Sequence, residues 1–279
     1  MSKLAAAIHR DYPETRPLPP RRIEWRKAHR LAQEVKANPY TPAISYELIL
    51  ALDGGDAERT FQEFLTEPGA RRLIEERSDL VAALADRDTL RAMAPDSLGR
   101  AYLALMEEDG YTADGLTLIQ DQVPSFKLIA PDPIRHWFHI RSGALHDVCH
   151  ALTGYGRDRA GEAAVNIYTA ATCKVRVVLL YSFIGALAAP RKNYLANLAY
   201  MHQAWRRGLL SRIPLSTRWE DLLPLPMAEV YRRLQIPSVE ESHPRGLMIE
   251  EHKGGPWIPA SSRANPVPGA NPGANPVPG

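Results

Sequence analysis

Apolar positions along this chain recur three and four residues apart, the spacing of one buried helix face, in segment after segment. Glu24 to Lys36 reads as a basic, polar helix. Pro42 opens a more apolar one that runs through Leu52 and closes at Gly54-Gly55. Asp56 is placed to cap a short helix ending near Thr66, and Pro68 starts another through Glu76. Ser78 or Asp79, and then Asp86, begin shorter pieces that carry Leu80, Val81, Leu84 and Leu90. Pro95 opens Asp96 to Asp109, where Leu98, Tyr102, Leu105 and Met106 form one stripe. Residues 111 to 133 carry turn signals and read as loop. A helix over about 132 to 153 follows, then a long apolar helix over about 162 to 189 that Pro190 stops. An amphipathic helix from Arg191 to Leu210 and a last one from Pro226 to about Gln235 complete the pattern. No segment alternates with the period of a strand, so the predicted fold is mainly α, a single-domain helical bundle.

The two ends depart from that pattern. Residues 1 to 22 are rich in Pro and Arg and read as an extended arm. After Pro237 the composition changes, and Ala264 to Gly279 consists of ANPVPG, ANPG and ANPVPG, with no apolar face to bury. The expected division is therefore an N-terminal arm (1–22), an all-helical domain (23–237) and a flexible, disordered Pro/Gly/Asn-rich C-terminal tail (238–279). With 279 residues, 45% of them hydrophobic and 24% charged, the chain can bury a substantial core as an ordinary globular protein. A net charge of +2 is too mild to point to nucleic acid, and none is expected as a partner. Two cysteines, Cys149 and Cys173, exclude a disulfide scaffold and read as small buried hydrophobes in a reducing compartment. The longest nearly uncharged apolar run, Val177 to Ala189, is thirteen residues, too short to span a bilayer, and no signal-peptide pattern opens the chain.

The sharpest chemistry lies at His146-Asp147-Val148-Cys149-His150, with eleven residues between His150 and Glu162. On one helix His146 and His150 stand one turn apart on the same face, with Asp147 at its rim. Thr153-Gly154-Tyr155-Gly156 breaks the helix, and Glu162 opens the next one at a height where it faces the imidazoles. Two imidazoles and two carboxylates meeting at one point suit a divalent metal with mixed nitrogen and oxygen ligation. A histidine pair one turn apart is also common in ordinary helix packing; the conjunction with both carboxylates favours the metal. Arg141 lies somewhat off this face and either anchors a substrate carboxylate or pairs with an acid on a neighbouring helix. His139, seven residues before His146, shares its face and reads as a hydrogen-bonded core histidine or an added site residue. The apolar helix from Ala163 to Ala189 carries Ala170, Ala171, Gly185, Ala186 and Ala188, so it reads as a central core helix that could also wall a greasy ligand.

These residues resemble the His-Asp-x-x-His, eleven residues, Glu signature of the ubiquinone (coenzyme Q) biosynthesis family called Coq-four, and the chain looks like a divergent bacterial member. Similarity extends to Gly99 and Tyr102, Arg141, Gly161-Glu162, Trp205 to Gly208, Trp219-Glu220 and Pro226 to Ile236, covering about residues 44 to 236. The chain departs from the family at Val148-Cys149, where an aromatic pair is usual, at Ser142-Gly143-Ala144 in place of Tyr-Arg-Glu, and at Asn166 in place of Lys. The resemblance implies one divalent metal held by His146, Asp147, His150 and Glu162, with the same four as catalytic residues. Zinc is what the family suggests, while iron, manganese or cobalt would also suit such ligands. It implies a lyase-type oxidative decarboxylation and hydroxylation at ring carbon 1 of a polyprenylated hydroxybenzoate.

The implied partners are that quinone precursor, other quinone-biosynthesis enzymes, and a membrane surface met peripherally. Paired basic residues such as Arg21-Arg22 and Arg191-Lys192 could meet anionic head groups. A homodimer is compatible with the apolar stretch 177–189. The implied location is cytoplasmic, on the inner face of a bacterial membrane, or the matrix side in a mitochondrion. A second reading is a non-catalytic prenyl-lipid-binding scaffold that organises quinone-biosynthesis enzymes. A third, a metal phosphohydrolase, needs a downstream Asp that residues 163 to 200 do not supply.

Overall fold

The structure is a computed structural model that describes residues 2–38, 41–109, 119–120, 122–188, 194–248 and 257–258. Helices dominate them. The first eight are α1 (Lys3–Asp11), α2 (Trp25–Ala37), α3 (Pro42–Leu52), α4 (Asp56–Phe64), α5 (Ala70–Glu76), α6 (Leu80–Ala85), α7 (Arg87–Ala92) and α8 (Leu98–Asp109). They are followed by α9 (Pro133–Thr153), α10 (Arg159–Thr172), α11 (Arg176–Ala188), α12 (Tyr194–Leu210), α13 (Met227–Leu234) and α14 (Val239–Ser242). Two two-residue strands, β1 (Leu247–Met248) and β2 (Trp257–Ile258), pair antiparallel, Leu247 with Ile258 and Met248 with Trp257.

The long helix α9 is the axis of the molecule. Asp132 caps its start by accepting from the backbone N–H groups of Ile134 and Arg135, and Pro133 occupies the first turn. Gly154, at φ 76°, ends it in the left-handed conformation that a side chain would strain. One side of α9 places Ala144, Val148 and Leu152 against Leu98, Tyr102 and Met106 of α8, Trp219, and Val230 of α13. The other end places Phe138 against Phe61, Phe64 and α1. Cys149 joins Tyr155, Tyr168, Tyr200 and Ala204 in a cluster between α10 and α12.

Three expectations are corrected. The N-terminal arm is not extended throughout, because Lys3–Asp11 is helical and buries Ala5 and Ile8 against Phe61, Phe64, Leu73 and Ile74. Arg135 secures it by donating to the carbonyls of Glu14, Thr15 and Arg16. The apolar stretch expected as one helix over 162–189 is two, α10 and α11, with Lys174 between them at φ 54°. The break is tertiary: Asp56, expected as a cap for its own helix, accepts instead from the backbone N–H of Val177, while Arg59 donates to the carbonyl of Lys174. The C-terminal segment does not leave the domain at residue 238. Val239, Leu247 and Met248 are buried in the α10–α12 cluster, and the pairing of β1 with β2 is strand structure that no alternating pattern announced. Residues 111–118 and 121 of the loop read at 111–133, and the ANPVPG-type repeats, lie outside the described residues. Among the described residues no helix is long and apolar enough to cross a membrane.

Candidate metal centre

His146 and His150 project from successive turns of α9, and the chain reverses through residues 154–158 to begin α10. Asp158 caps α10 by accepting from the N–H groups of Ala160 and Gly161. Glu162 therefore sits in the first turn of α10 rather than opening the helix, near the positive end of its dipole. Gly161 makes that close return possible: a Cβ there would stand 1.9 Å from the carbonyl oxygen of Gly156.

The three side chains converge. The Nε2 atoms of His146 and His150 are 3.2 Å apart, His146 Nε2 is 3.2 Å from one Glu162 oxygen, and His150 Nε2 is 3.3 Å from the other. The imidazole planes meet at 81°, so both nitrogens address one point. A tetrahedral ion bound at ~2.0–2.1 Å has ligand–ligand edges of about 3.3–3.4 Å, and the observed edges fit that triangle. His150 Nδ1 lies 3.0 Å from the backbone carbonyl of Tyr155, which can only accept, so Nδ1 carries the proton and Nε2 keeps its lone pair for the triangle. His150 is buried; the His146 side chain is 27% exposed and that of Glu162 is 42% exposed, so the group opens to solvent on one side. Burial works to lower the His146 pKa, but the Glu162 carboxylate outweighs it and raises it. Burial likewise works to raise the Glu162 pKa, and its bonds to both imidazoles carry it far below the usual carboxylate range. Among the described residues, His146, His150 and Glu162 are the group that could hold a metal ion.

The other expected site residues lie elsewhere. Asp147, expected as a fourth ligand, is turned about 100° round the helix from His146, and its carboxylate accepts from Arg157 Nη2 at 2.8 Å. Arg141 forks onto Glu220 at 2.5 and 2.8 Å and donates to the carbonyl of Thr217, so it pairs with a neighbouring acid and not with this group. His139 is a buried ring set edge-on against Phe138 and Phe126, its pKa pushed down to about 4 by burial and then by the Arg135 charge. Cys149 is buried among apolar groups, its thiol pushed up to about 12 by desolvation. Ala170 and Ala171 are buried core rather than an open ligand wall, and the side chains at 185, 186 and 188 lie outside the described residues. Sequence reasoning missed Arg157, the Tyr155 carbonyl and the Asp158 cap. Only the cap left a signal, an Asp directly before a helical pattern.

Comparison with known proteins follows the same residues. The model of the family described as coenzyme Q (ubiquinone) biosynthesis protein Coq4 matches residues 57–240. Two curated relatives carry the name ubiquinone biosynthesis protein COQ4, mitochondrial. The one from Lachancea thermotolerans is 28% identical over 185 residues, 64% of this chain and 53% of that protein. The one from Scheffersomyces stipitis is 24% identical over 208 residues, 71% of this chain and 61% of that protein. The chain thus spans between half and two thirds of the length of these relatives. A crystal structure from Nostoc punctiforme, named as a candidate ubiquinone biosynthesis protein, superposes with a TM-score of 0.59 at 17% identity. It covers 76% of this chain and 96% of that one, and it shows that the two share a fold.

Proposed function

The chain belongs to the coenzyme Q (ubiquinone) biosynthesis protein Coq4 family, and on that premise we propose that it is a metal-dependent enzyme acting on the head group of a polyprenylated hydroxybenzoate. The reaction is an oxidative decarboxylation: the carboxyl carbon leaves ring carbon 1 as carbon dioxide, water supplies the hydroxyl that takes its place, and an oxidant such as dioxygen takes up the two electrons and two protons released, as hydrogen peroxide. The observation that carries this reading is the triangle of His146, His150 and Glu162, whose edges and tautomer suit a divalent ion. Zinc is the ion the family favours, and iron, manganese or cobalt would suit the same donors. A bound ion would supply Lewis acidity to the carboxylate or phenolate oxygen of the substrate.

The protein supplies the rest. Tyr155 fixes the His150 ring through its carbonyl, so that one nitrogen of His150 stays free for the site. Glu162 holds a negative charge beside His146 and, with the two imidazoles, completes the donor set that would hold the ion. The exposed side of the group leaves room for a substrate head group, while His150 is buried. Peripheral contact with the inner face of a bacterial membrane follows from so apolar a substrate, as does work beside other quinone-biosynthesis enzymes.

A second reading, a prenyl-lipid-binding scaffold with a structural ion, draws support from Asp147, whose carboxylate pairs with Arg157 and leaves three ligands rather than four. Elemental analysis of protein purified without a metal-affinity tag tests the first reading. About one equivalent of metal, lost in His150→Ala, together with turnover of a prenylated hydroxybenzoate, is the expected result. Metal without turnover, with bound isoprenoid retained, would favour the scaffold. No metal in the parent would sink the enzyme.

A further inference from the structure

The face of α9 that carries His146 and His150 continues toward the helix start through Gly143 and His139, because these four positions share one helical ridge. Two buried polar atoms with no partner among the described residues lie on or against it: Oε1 of Gln120 and Nε2 of His139. Native structures ordinarily satisfy such atoms, and an exception calls for a ligand or a water. Gln120 is 3% exposed. Its amide rests directly on Gly143, where a Cβ would stand 2.5 Å from Nε2, 2.6 Å from Oε1 and 2.8 Å from Cδ. The absence of a side chain at 143 is what admits it. Nε2 donates to the hydroxyl of Tyr46 at 3.0 Å, which anchors one end of the amide and leaves the other unpaired. Helical side chains lean toward the N-terminus, so His146 leans over the turn on which this amide lies. The unpaired amide atom is therefore about one helical turn, ~5 Å, from the base of the metal group.

We propose that Gln120 is the residue that recognises the ring hydroxyl of a phenolic carboxylate whose carboxyl group lies at His146, His150 and Glu162. This rests on the head-group reading above and adds the contact that selects the substrate. Rotation of the amide presents either its oxygen or its nitrogen, and a phenol hydroxyl both donates and accepts, so either orientation pairs. A ring without that hydroxyl leaves the buried amide unpaired, which is how a polar pocket rejects an analogue. His139, one turn further along the same ridge, carries a second buried polar atom without a partner among the described residues.

The test is calorimetric titration of the metal-loaded, full-length chain with 3-geranyl-4-hydroxybenzoate and with 3-geranylbenzoate, which lacks the hydroxyl. The parent should bind the hydroxylated ring about tenfold more tightly, the effect of one hydrogen bond. Gln120→Leu should bring the two affinities together, by weakening the hydroxylated ring about tenfold and leaving the other unchanged. Gly143→Ala, which pushes the amide aside without removing it, should do the same and guards against a folding defect in the first variant. A preference that persists in both variants would overturn the inference while the head-group reading stands, and would assign the amide to a structural water. A parent that binds neither compound would overturn the head-group reading, and this inference with it.

Discussion

The two halves of α9 use buried polar groups in opposite ways. In the first half Arg135, fully buried, donates to Glu58, to Asp132 and to three backbone carbonyls of the N-terminal segment, so all its N–H groups find acceptors. Arg141 likewise turns its guanidinium onto Glu220 and the carbonyl of Thr217. In the second half His146 and His150, met by Glu162 of α10, turn nitrogen and oxygen lone pairs toward one another, and only a proton or a cation can reconcile them. A saturated network holds chain segments together. A cluster of facing acceptors holds something exchangeable. Both sets are built on charged or polar residues of α9, and partner supply separates a structural group from a candidate site.

The largest expected effect tests the saturated half. Arg135→Met removes the cation shared by Glu58 and Asp132 and the donor to the carbonyls of Glu14 and Arg16, and should cost about 3–5 kcal/mol in urea denaturation. A cost below about 1 kcal/mol would mean that the network is not what docks the N-terminal segment. In the second half, His150→Ala should abolish metal binding in elemental analysis and lower the urea midpoint of metal-free protein less than Arg135→Met does, through the Tyr155 carbonyl it leaves unpaired. Retention of the metal would place the ion elsewhere.

The pH dependence of metal-free protein sharpens the contrast. The pKa of His146 is raised on folding by Glu162, so its contribution is complete below 6.5 and is lost as pH rises through the folded value. The stability gap between the parent and Glu162→Gln should therefore shrink above pH 6.5, by up to ~1 kcal/mol after solvent screening. A gap that stays constant would show that the pair is not ionised as described. His139 has the opposite sign: its folded pKa of about 4 lies below its ordinary 6.5, so acidification through that interval destabilises the fold, and His139→Phe should remove that acid sensitivity. The smallest effect is expected at Asp147. With its carboxylate on Arg157, Asp147→Ala should keep the metal within about tenfold of the parent affinity, the scale of an outer-shell change. A loss as severe as that of His150→Ala would make Asp147 a fourth ligand and erase the distinction drawn from its geometry.

What was legible beforehand follows from what is local. Helical period, the helix over about 132–153, its stop at Gly154 and the one-turn spacing of His146 and His150 depend on residues within a few positions of one another, and the structure bears them out. Glu162 was legible because a short turn leaves few places for it. The direction of Asp147 was not, because at the rim of a face a carboxylate goes to whichever partner is nearer, and Arg157 is supplied by a loop. The split between α10 and α11 was hidden for the same reason: its cause is Asp56, more than a hundred residues away. So were the packing of α1, secured by Arg135 from α9, and the seat of Gln120 on Gly143.

By itself, then, the sequence determined the helical class, the ligand-bearing face of α9 and the family signature, all of them consequences of short-range periodicity and spacing. Only the tertiary structure decided which charges are saturated and which remain open, because a buried polar group takes its role from partners that chain folding, not chain order, brings within hydrogen-bond reach.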